Sequence, residues 1–174
     1  MKPSFNTINS LEEIFMEEAN GTVLHQPKVN VRIFNATPWG NPKYETAQSS
    51  GFDLRAFIDE DIVLKPNQRH LIPTGIYLEL PALLEVQVRP RSGLANEFGI
   101  SIVNTPGTID SDYRGQLHVN LINLGNEDFV VSSGMRIAQG VLVPVFQAKW
   151  EDVSSVDELA KTERADKGHG HTGV

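Results

Sequence analysis

The sequence predicts an all-β fold, organised as an antiparallel sandwich, jelly roll or barrel. From Val29 onward, short apolar runs alternate with polar residues at the period of two that is typical of half-buried strands. Turn residues separate these runs at close intervals. No alternation of strands with helices is visible, which argues against a doubly wound nucleotide-binding fold. The 174 residues suffice for one domain with a buried core.

The composition is that of a soluble globular protein and excludes several classes of function. Hydrophobic residues make up 40% of the chain, yet no apolar run is long enough to span a bilayer. The first residues lack the apolar centre of a signal peptide, and cysteine is absent. A cytoplasmic location is therefore expected, and thiol nucleophiles and cysteine-based zinc sites are excluded. The net charge of −7 argues against general nucleic-acid binding, although a few arginines can still form a local site for a small anion.

Residues 10–21 carry the one convincing helix signal. Ser10 and Glu13 have the spacing of a capping box, and Asn20-Gly21 is typical of a helix end. The apolar side chains that share one face of this helix are Leu11, Ile14 and Phe15. Because so short a helix needs a surface to dock on, residues 1–28 are interpreted as an N-terminal extension of the domain.

Residues 29–160 are predicted to form the β domain. Its predicted strands are Val29–Ile33, Ile62–Leu64, His70–Leu80, Leu84–Val88, Gln116–Asn123 and Arg136–Val143. Lys65-Pro66-Asn67 marks a turn between two of them. The last stretch, residues 161–174, is polar and rich in glycine, and we expect it to be flexible until a ligand orders it.

The C-terminal tail contains the pattern GxGxxG between Gly168 and Gly173. As a dinucleotide-binding fingerprint this pattern requires a preceding strand and a following helix, and the chain predicts neither. His169 and His171 suggest a metal pair, but the spacing places no third and fourth ligand nearby. The sequence therefore predicts neither a dinucleotide site nor a zinc site here.

The segment Pro90–Ala95 has the residue types of an anion site. It follows a predicted strand and places Arg91, Ser92 and Gly93 in succession. These residues offer a guanidinium, a hydroxyl and an unhindered N–H group to an anion. An ordinary turn with a solvated arginine explains the same residues equally well, so both interpretations stay open on this segment alone.

The segment Gly107–Gly115 clusters two carboxylates, an aromatic ring and a cation between two glycines. A carboxylate held near phosphate can act as a general base on water, and the aromatic face can stack on a sugar or a base. The alternative is a hairpin rich in turn-forming residues. We interpret this segment as the centre of a phosphate-handling active site.

Taken in order, these segments resemble the five motifs of the trimeric dUTP diphosphatases, the dUTPase family. The corresponding stretches are Ser50–Ala56, Pro90–Ala95, Asn104–Gly115, Gly134–Gln139 and, in divergent form, Arg164–Gly173. The resemblance implies a distorted β jelly roll, with active sites assembled from three subunits of a homotrimer. It also implies that dUTP is hydrolysed to dUMP and pyrophosphate with Mg²⁺. This activity limits uracil incorporation into DNA and supplies dUMP for thymidylate synthesis.

The resemblance also implies roles for residues of the third motif. Asp110 is the implied base for the water that attacks the α-phosphorus, a role that contributes about 10²–10⁴-fold in rate. Tyr113 is expected under the deoxyribose, where it leaves no room for a 2′-hydroxyl. Asn104 is expected to read the polar edge of uracil with backbone groups of its hairpin. Those groups belong to Gly107, Thr108 and Ile109.

The phosphates are expected to lie against the second and fourth motifs. Arg91, Ser92 and the Gly93 N–H would hold them, and Gln139 would contact the α-phosphate or the attacking water. Asp53 matches an acidic residue of the first motif that supports the water shell of the metal. No dense carboxylate cage is required, because Mg²⁺ keeps several waters and grips substrate phosphates.

The fifth motif departs from the family pattern. Ala165 and Lys167 stand where the family usually has glycines, and His169 stands where it has a phenylalanine that stacks on uracil. Imidazole is also flat and can stack, so residues 161–174 are predicted to form a lid over the nucleotide. Arg164 and Thr172 match the residues for the terminal phosphates.

Two other functions were weighed. A dCTP deaminase shares the implied fold, but its catalytic glutamate corresponds to Asn120, and an amide cannot shuttle the proton that deamination needs. A regulatory protein on the same scaffold could use residues 1–28 to bind a partner. The role of Arg136 stays open between phosphate binding and pairing with a carboxylate in the trimer.

Overall fold

The computed structural model describes residues 28–167 and confirms the all-β prediction. The strands of this part of the chain are β1 (Arg32–Asn35), β2 (Gly51–Arg55), β3 (Ile62–Leu64), β4 (Arg69–Glu79), β5 (Leu84–Arg89), β6 (Ile100–Ile102), β7 (Gly107–Ile109), β8 (Gln116–Asn123), β9 (Phe129–Val131) and β10 (Arg136–Pro144). A helix, α1 (Ser92–Phe98), and a 3₁₀ turn (Val156–Glu158) complete the regular structure of the described residues. The helix expected over residues 10–21 lies outside them.

The strands form two four-stranded sheets and a two-stranded ribbon, and every pairing among the described strands is antiparallel. The first sheet has the order β1-β4-β8-β6 and the second the order β2-β10-β5-β7, while β3 pairs with β9. Buried side chains from both sheets and the ribbon meet in one core. This arrangement is the distorted jelly roll that the family resemblance implied.

Strand β8 shows how the period of two builds that core. Leu117, Val119 and Leu121 are almost completely buried, whereas the intervening His118 is exposed and Asn120 is half-buried. Successive side chains of a strand point to opposite faces of the sheet. The apolar set therefore enters the core, and the polar set stays on the outer face.

Two predicted strands, Ile62–Leu64 and Gln116–Asn123, coincide with β3 and β8. The first predicted strand, Val29–Ile33, was wrong in position, because β1 spans Arg32–Asn35. Its ends are set by the ladder with β4, which runs from Arg32 opposite Glu79 to Asn35 opposite Ile76. The alternating pattern begins before that ladder and ends inside it, where Phe34 follows Ile33, so the pattern alone could not locate the ends of the strand.

Helix α1 and four short strands were missed. At seven residues α1 has about two turns, too few for a helical period to be recognised, and none of its residues is buried. It ends at Gly99, whose φ of 70° is a left-handed conformation that glycine adopts readily. The missed strands β2, β6, β7 and β9 are three to five residues long. Within residues 28–167, no helix has the length and apolar character needed to cross a membrane.

Candidate active site

The second sheet brings the predicted phosphate-binding segments side by side. Its register places Asp53 of β2 opposite Gln139 of β10, and Gln139 opposite Arg89 of β5. One residue earlier on β5, Val88 lies opposite Gly107 of β7. Since neighbouring strands are about 4.8 Å apart, four distant stretches of sequence meet within about 15 Å across this sheet.

Asp53 lies between two arginines. Its Oδ1 is 3.1 Å from Arg91 Nε, and its Oδ2 is 3.2 Å from Arg136 Nη1. The same Arg136 nitrogen is 3.4 Å from Glu45 Oε1. Arg136 therefore pairs with carboxylates, and it does so within one subunit. We call these four residues, with two positive and two negative charges, the Asp53 cluster.

Gln139 is held against the segment that carries Arg91. Its Nε2 donates a hydrogen bond to the Pro90 carbonyl at 3.0 Å. A Cβ at Gly51, the first residue of β2, would overlap Gln139 Oε1. The missing side chain at Gly51 therefore leaves the space in which the Gln139 amide lies, next to the start of α1.

Ser92 and Gly93 are exposed at the start of α1, directly after Arg91. A Cβ at Gly93 would meet no atom within 4 Å. Packing within the subunit therefore does not account for glycine at this position. Close approach of a ligand to the backbone would account for it.

A cavity of about 160 Å³ lies beside β7. Its lining residues are Leu71, Val88, Ile102, Asn104, Gly107, Thr108, Ile109, His118 and Asn120. The Val103 N–H donates to the Asn120 carbonyl at 3.0 Å, which holds the turn that carries Asn104 against β8. The structure thus brings together the predicted residues Asn104 and Gly107–Ile109 around one space, which is smaller than the pockets that hold whole drug-sized ligands.

The segment around Asn104 is not the hairpin that the sequence analysis expected. Strand β6 pairs with β8 in the first sheet, whereas β7 pairs with β5 in the second, so residues 103–106 cross from one sheet to the other. Strand β7 ends the order of its sheet. One side of its backbone is therefore unpaired within the described chain and can bind a ligand through N–H and C=O groups.

Asp110 follows β7 directly, and its side chain is exposed. Within residues 28–167 the Asp110 carboxylate forms no hydrogen bond or ion pair, so it can accept a proton from a bound water. Tyr113 donates its hydroxyl to the Gln116 carbonyl at 3.0 Å, while 43% of the residue remains exposed. A Cβ at Gly115 would overlap the Tyr113 hydroxyl and ring, so glycine there allows the ring to lie across the turn.

Tyr44 packs next to the strand that carries Asp53. Its ring lies edge-on to Phe52, with the ring centroids 5.7 Å apart. Burial raises the pKa of the Tyr44 phenol above its ordinary value. A tyrosine is neutral at physiological pH even without this shift, and Tyr44 contacts the strand through its ring.

Of the residues predicted for the lid, Arg164 lies within the described chain, while His169 and Thr172 lie outside it. Arg164 is exposed, and its Nε donates to the Lys167 carbonyl at 3.0 Å. Ala165 has a φ of 48°, a left-handed conformation that favours glycine. This conformation gives a physical reason for the glycine that the fifth motif usually has at this position.

The described residues form no metal cage. Residues 28–167 contain no group of three or more histidine, aspartate or glutamate side chains that could hold an ion. Asp53 has both oxygens in ion pairs, but each oxygen keeps a lone pair for a metal-bound water. This donor set fits a Mg²⁺ ion that binds mainly to substrate phosphates and water.

Two residues near the site were not anticipated. Glu45 contacts Arg136 in the Asp53 cluster although the two residues are 91 positions apart in the sequence, and no local pattern indicated that contact. His118 lines the cavity beside Asn120. The alternation of β8 could have indicated it, since both residues lie on the same face of that strand.

Known proteins resemble this chain in sequence and in fold. The family model described as dUTPase matches residues 37–173. The chain is 59% identical over 133 residues to the deoxyuridine 5'-triphosphate nucleotidohydrolase of Treponema denticola, a match that covers 76% of this chain and 90% of that protein.

Two solved structures are similar in fold. One is a Staphylococcus bacteriophage 80alpha dUTPase with dUPNHPP, with a TM-score of 0.74 and 22% identity, which covers 84% of this chain and 100% of that chain. The other is a mutant dUTPase from phage phi11 of S. aureus, described with a coordinated structural Mg(II) ion. Its TM-score is 0.66 at 19% identity, and the match covers 74% of this chain and 99% of that chain.

Proposed function

This chain belongs to the dUTPase family and hydrolyses dUTP to dUMP and pyrophosphate, and we propose that the cavity beside β7 holds the uracil while Asp110 activates the attacking water. The observation that carries this assignment is the position of Asp110. Its exposed carboxylate has no partner within residues 28–167, and it follows directly on β7, the edge strand whose residues line the cavity.

Uracil selection rests on the unpaired edge of β7. The base presents an acceptor, a donor and an acceptor through O2, N3–H and O4. The backbone of Gly107–Ile109 offers both N–H and C=O groups, and the Asn104 amide adds one more donor and acceptor. Cytosine presents an amino donor in place of O4, so it would leave buried polar groups unpaired, which binding sites reject strongly.

Selection of the sugar rests on Tyr113. Its hydroxyl is tied to the Gln116 carbonyl, and the absence of a side chain at Gly115 lets the ring lie across the turn. A ring held in this way makes a flat floor for a deoxyribose. An added 2′-hydroxyl on UTP would meet the ring without a hydrogen-bond partner.

The chemical step is an in-line attack at the α-phosphorus. The water oxygen forms the new P–O bond as the bond from the α-phosphorus to the bridging oxygen breaks, and pyrophosphate leaves. Asp110 takes the proton of the water. Arg91, Ser92 and the Gly93 N–H hold the phosphates, and Gln139, next to Pro90, contacts the α-phosphate or the water.

Magnesium is proposed as the cofactor. A bound Mg²⁺ orients the triphosphate and offsets its negative charge. Asp53 is the described residue that can hold a water of the ion, and residues 28–167 provide no closed cage. The solved phage dUTPase with a structural Mg(II) ion supports metal use in the family.

A homotrimer with shared active sites is proposed. Large apolar side chains are exposed on the chain that follows β10, including Phe146 at 78% and Trp150 at 86% exposure. We propose that a neighbouring subunit covers these side chains. Active sites shared between subunits would also place Asp110 of one subunit and Arg91 of another in the same site.

Removal of dUTP limits uracil incorporation into DNA, and the product dUMP supplies thymidylate synthesis. We propose a cytoplasmic location for this reaction. The chain has no cysteine and thus no disulfide to maintain, which suits a reducing compartment.

Substrate and reaction are tested by pyrophosphate release from separate dNTPs and from UTP, with and without Mg²⁺. We expect release from dUTP alone and a strong dependence on Mg²⁺. Ammonia release from dCTP would instead support the deaminase. That outcome is not expected, because the cavity presents an amide at Asn120 where deamination requires a carboxylate. Equal turnover of UTP would contradict the role of Tyr113.

The lid is tested by deleting residues 162–174. We expect kcat to fall sharply, because Arg164 and the residues after it would no longer close over the triphosphate and exclude water. Steady-state kinetics with dUTP measure the effect. Thermal unfolding should be little changed, since the described part of this segment is exposed and contributes no residue to the core. Unchanged turnover would refute the lid role.

A further inference from the structure

The Asp53 cluster uses two of the five N–H donors of Arg91, the arginine proposed to bind phosphate. Arg91 Nε donates to Asp53 at 3.1 Å, and Arg91 Nη1 donates to the Arg136 carbonyl at 3.4 Å. A guanidinium has five N–H donors, so the two on Nη2 and one on Nη1 remain free within the described chain. The two contacts restrain the guanidinium at Nε and Nη1 and leave its other three N–H groups for a ligand.

Asp53 is largely shielded from solvent, and its contacts suit it to position Arg91. Its side chain is only 14% exposed, against 28% for Arg91, and each of its oxygens faces a different arginine. Asp53 and Gln139 lie opposite each other on neighbouring strands, and the Gln139 amide holds Pro90, the residue before Arg91. Asp53 therefore holds the Arg91 side chain, and Gln139 holds the backbone just before Arg91.

We propose that Asp53 is the positioning residue for Arg91, and that Arg136 assists by holding the second oxygen of the same carboxylate. This inference rests on the proposed function, in which Arg91 binds the triphosphate. A free arginine side chain loses rotamer freedom when it binds phosphate, and an arginine already held loses less. Asp53 therefore acts on phosphate affinity through Arg91, without Mg²⁺ and without touching the substrate.

The experiment measures binding of dUPNHPP, the imido analogue of dUTP, in EDTA to the full-length protein. We expect Asp53→Asn to raise Kd about tenfold, since it weakens a charge-assisted hydrogen bond to Arg91. With Mg²⁺ present the ratio should be at least as large, because the substitution then also weakens the proposed contact of Asp53 with a metal-bound water. In an Arg91→Ala background, Asp53→Asn should add almost nothing, because the residue on which it acts is gone.

Glu79→Gln is the control, because it removes another carboxylate–arginine pair, Arg32–Glu79 at 2.7 Å, which lies in the first sheet and is more exposed than the Asp53–Arg91 pair. Its Kd should equal that of the wild type. If Asp53→Asn does not fold, as judged by thermal unfolding, Asp53→Glu replaces it. Glutamate keeps the charge but displaces the carboxylate by one methylene, so it should raise Kd in EDTA in the wild-type background and not in the Arg91→Ala background.

Two results would overturn the proposal. One is an effect of Asp53→Asn that appears only with Mg²⁺, which assigns Asp53 to the metal's water shell alone. The other is an undiminished effect in the Arg91→Ala background. Failure of the wild type to release pyrophosphate from dUTP would instead reject the proposed function, so the two failures are distinguishable.

Discussion

Replacing Asp110 with asparagine should lower kcat for dUTP by about 10²–10⁴-fold, the range that a positioned general base contributes. The amide keeps the size of the side chain but cannot take the proton of the attacking water. The Asp110 carboxylate has no hydrogen bond or ion pair within the described residues, so its removal leaves no partner stranded. Affinity for dUPNHPP, measured by calorimetry, should therefore stay close to that of the wild type.

Asp128→Asn serves as the control. Asp128 is also an exposed aspartate, but it follows the far end of β8, and eight residues of strand separate that end from the Asp110 turn. Its kcat should be unchanged. Full turnover by Asp110→Asn would remove Asp110 from the mechanism. A binding-only regulatory function on this scaffold would instead survive the substitution with its partner affinity intact.

The same variant tests whether active sites are shared between subunits. If the proposed trimer forms, co-expression of Asp110→Asn with Arg91→Ala chains would produce mixed trimers, whereas each variant alone is expected to have little activity. If Asp110 and Arg91 meet from different subunits, some sites receive both wild-type residues and activity returns. If both residues serve a site within one subunit, the mixture stays inactive. Light scattering gives the mass of the assembly in the same samples.

Asn123→Leu should destabilise the fold by about 3–5 kcal/mol, because each buried polar group left unpaired costs about 1–3 kcal/mol. Asn123 is completely buried at the end of β8. Its Nδ2 donates to the Leu64 and Glu127 carbonyls at 2.8 and 2.7 Å, and its Oδ1 accepts from the Gly125 N–H at 2.9 Å. Leucine fills the same space but makes none of these three bonds, of which the one to the Leu64 carbonyl is buried and the other two are part-buried.

Denaturant unfolding measures this loss of stability. Asn126→Leu is the matched control, because Asn126 lies in the same turn, is exposed and makes no hydrogen bond through its side chain within the described residues. It should change the free energy of unfolding by less than about 0.5 kcal/mol, as most surface substitutions do. Equal stability of Asn123→Leu and the wild type would show that the three bonds add nothing to the fold.

The sequence predicted the long strands well because their pattern is local. Gln116–Asn123 alternates apolar and polar residues over eight positions, and the structure buries the apolar set as expected. The strand Gly107–Ile109 and helix α1 were missed because each is too short for a period to show. Strand β7 exists because it pairs with β5, twenty residues earlier in the chain, and no local pattern reports such a partner.

The order and chemistry of the motifs could be predicted from the sequence, because the chemical properties of a carboxylate, an arginine or a glycine do not depend on the fold around it. From those residue types the family, the fold class and the reaction followed. The contacts among the motifs depended on tertiary structure. Only the pairing of β2 with β10 brings Asp53 to Arg136 across 83 residues, and only the crossing of residues 103–106 between sheets leaves the edge of β7 open. Such contacts are set by strand register, which depends on the whole core and not on neighbouring residues.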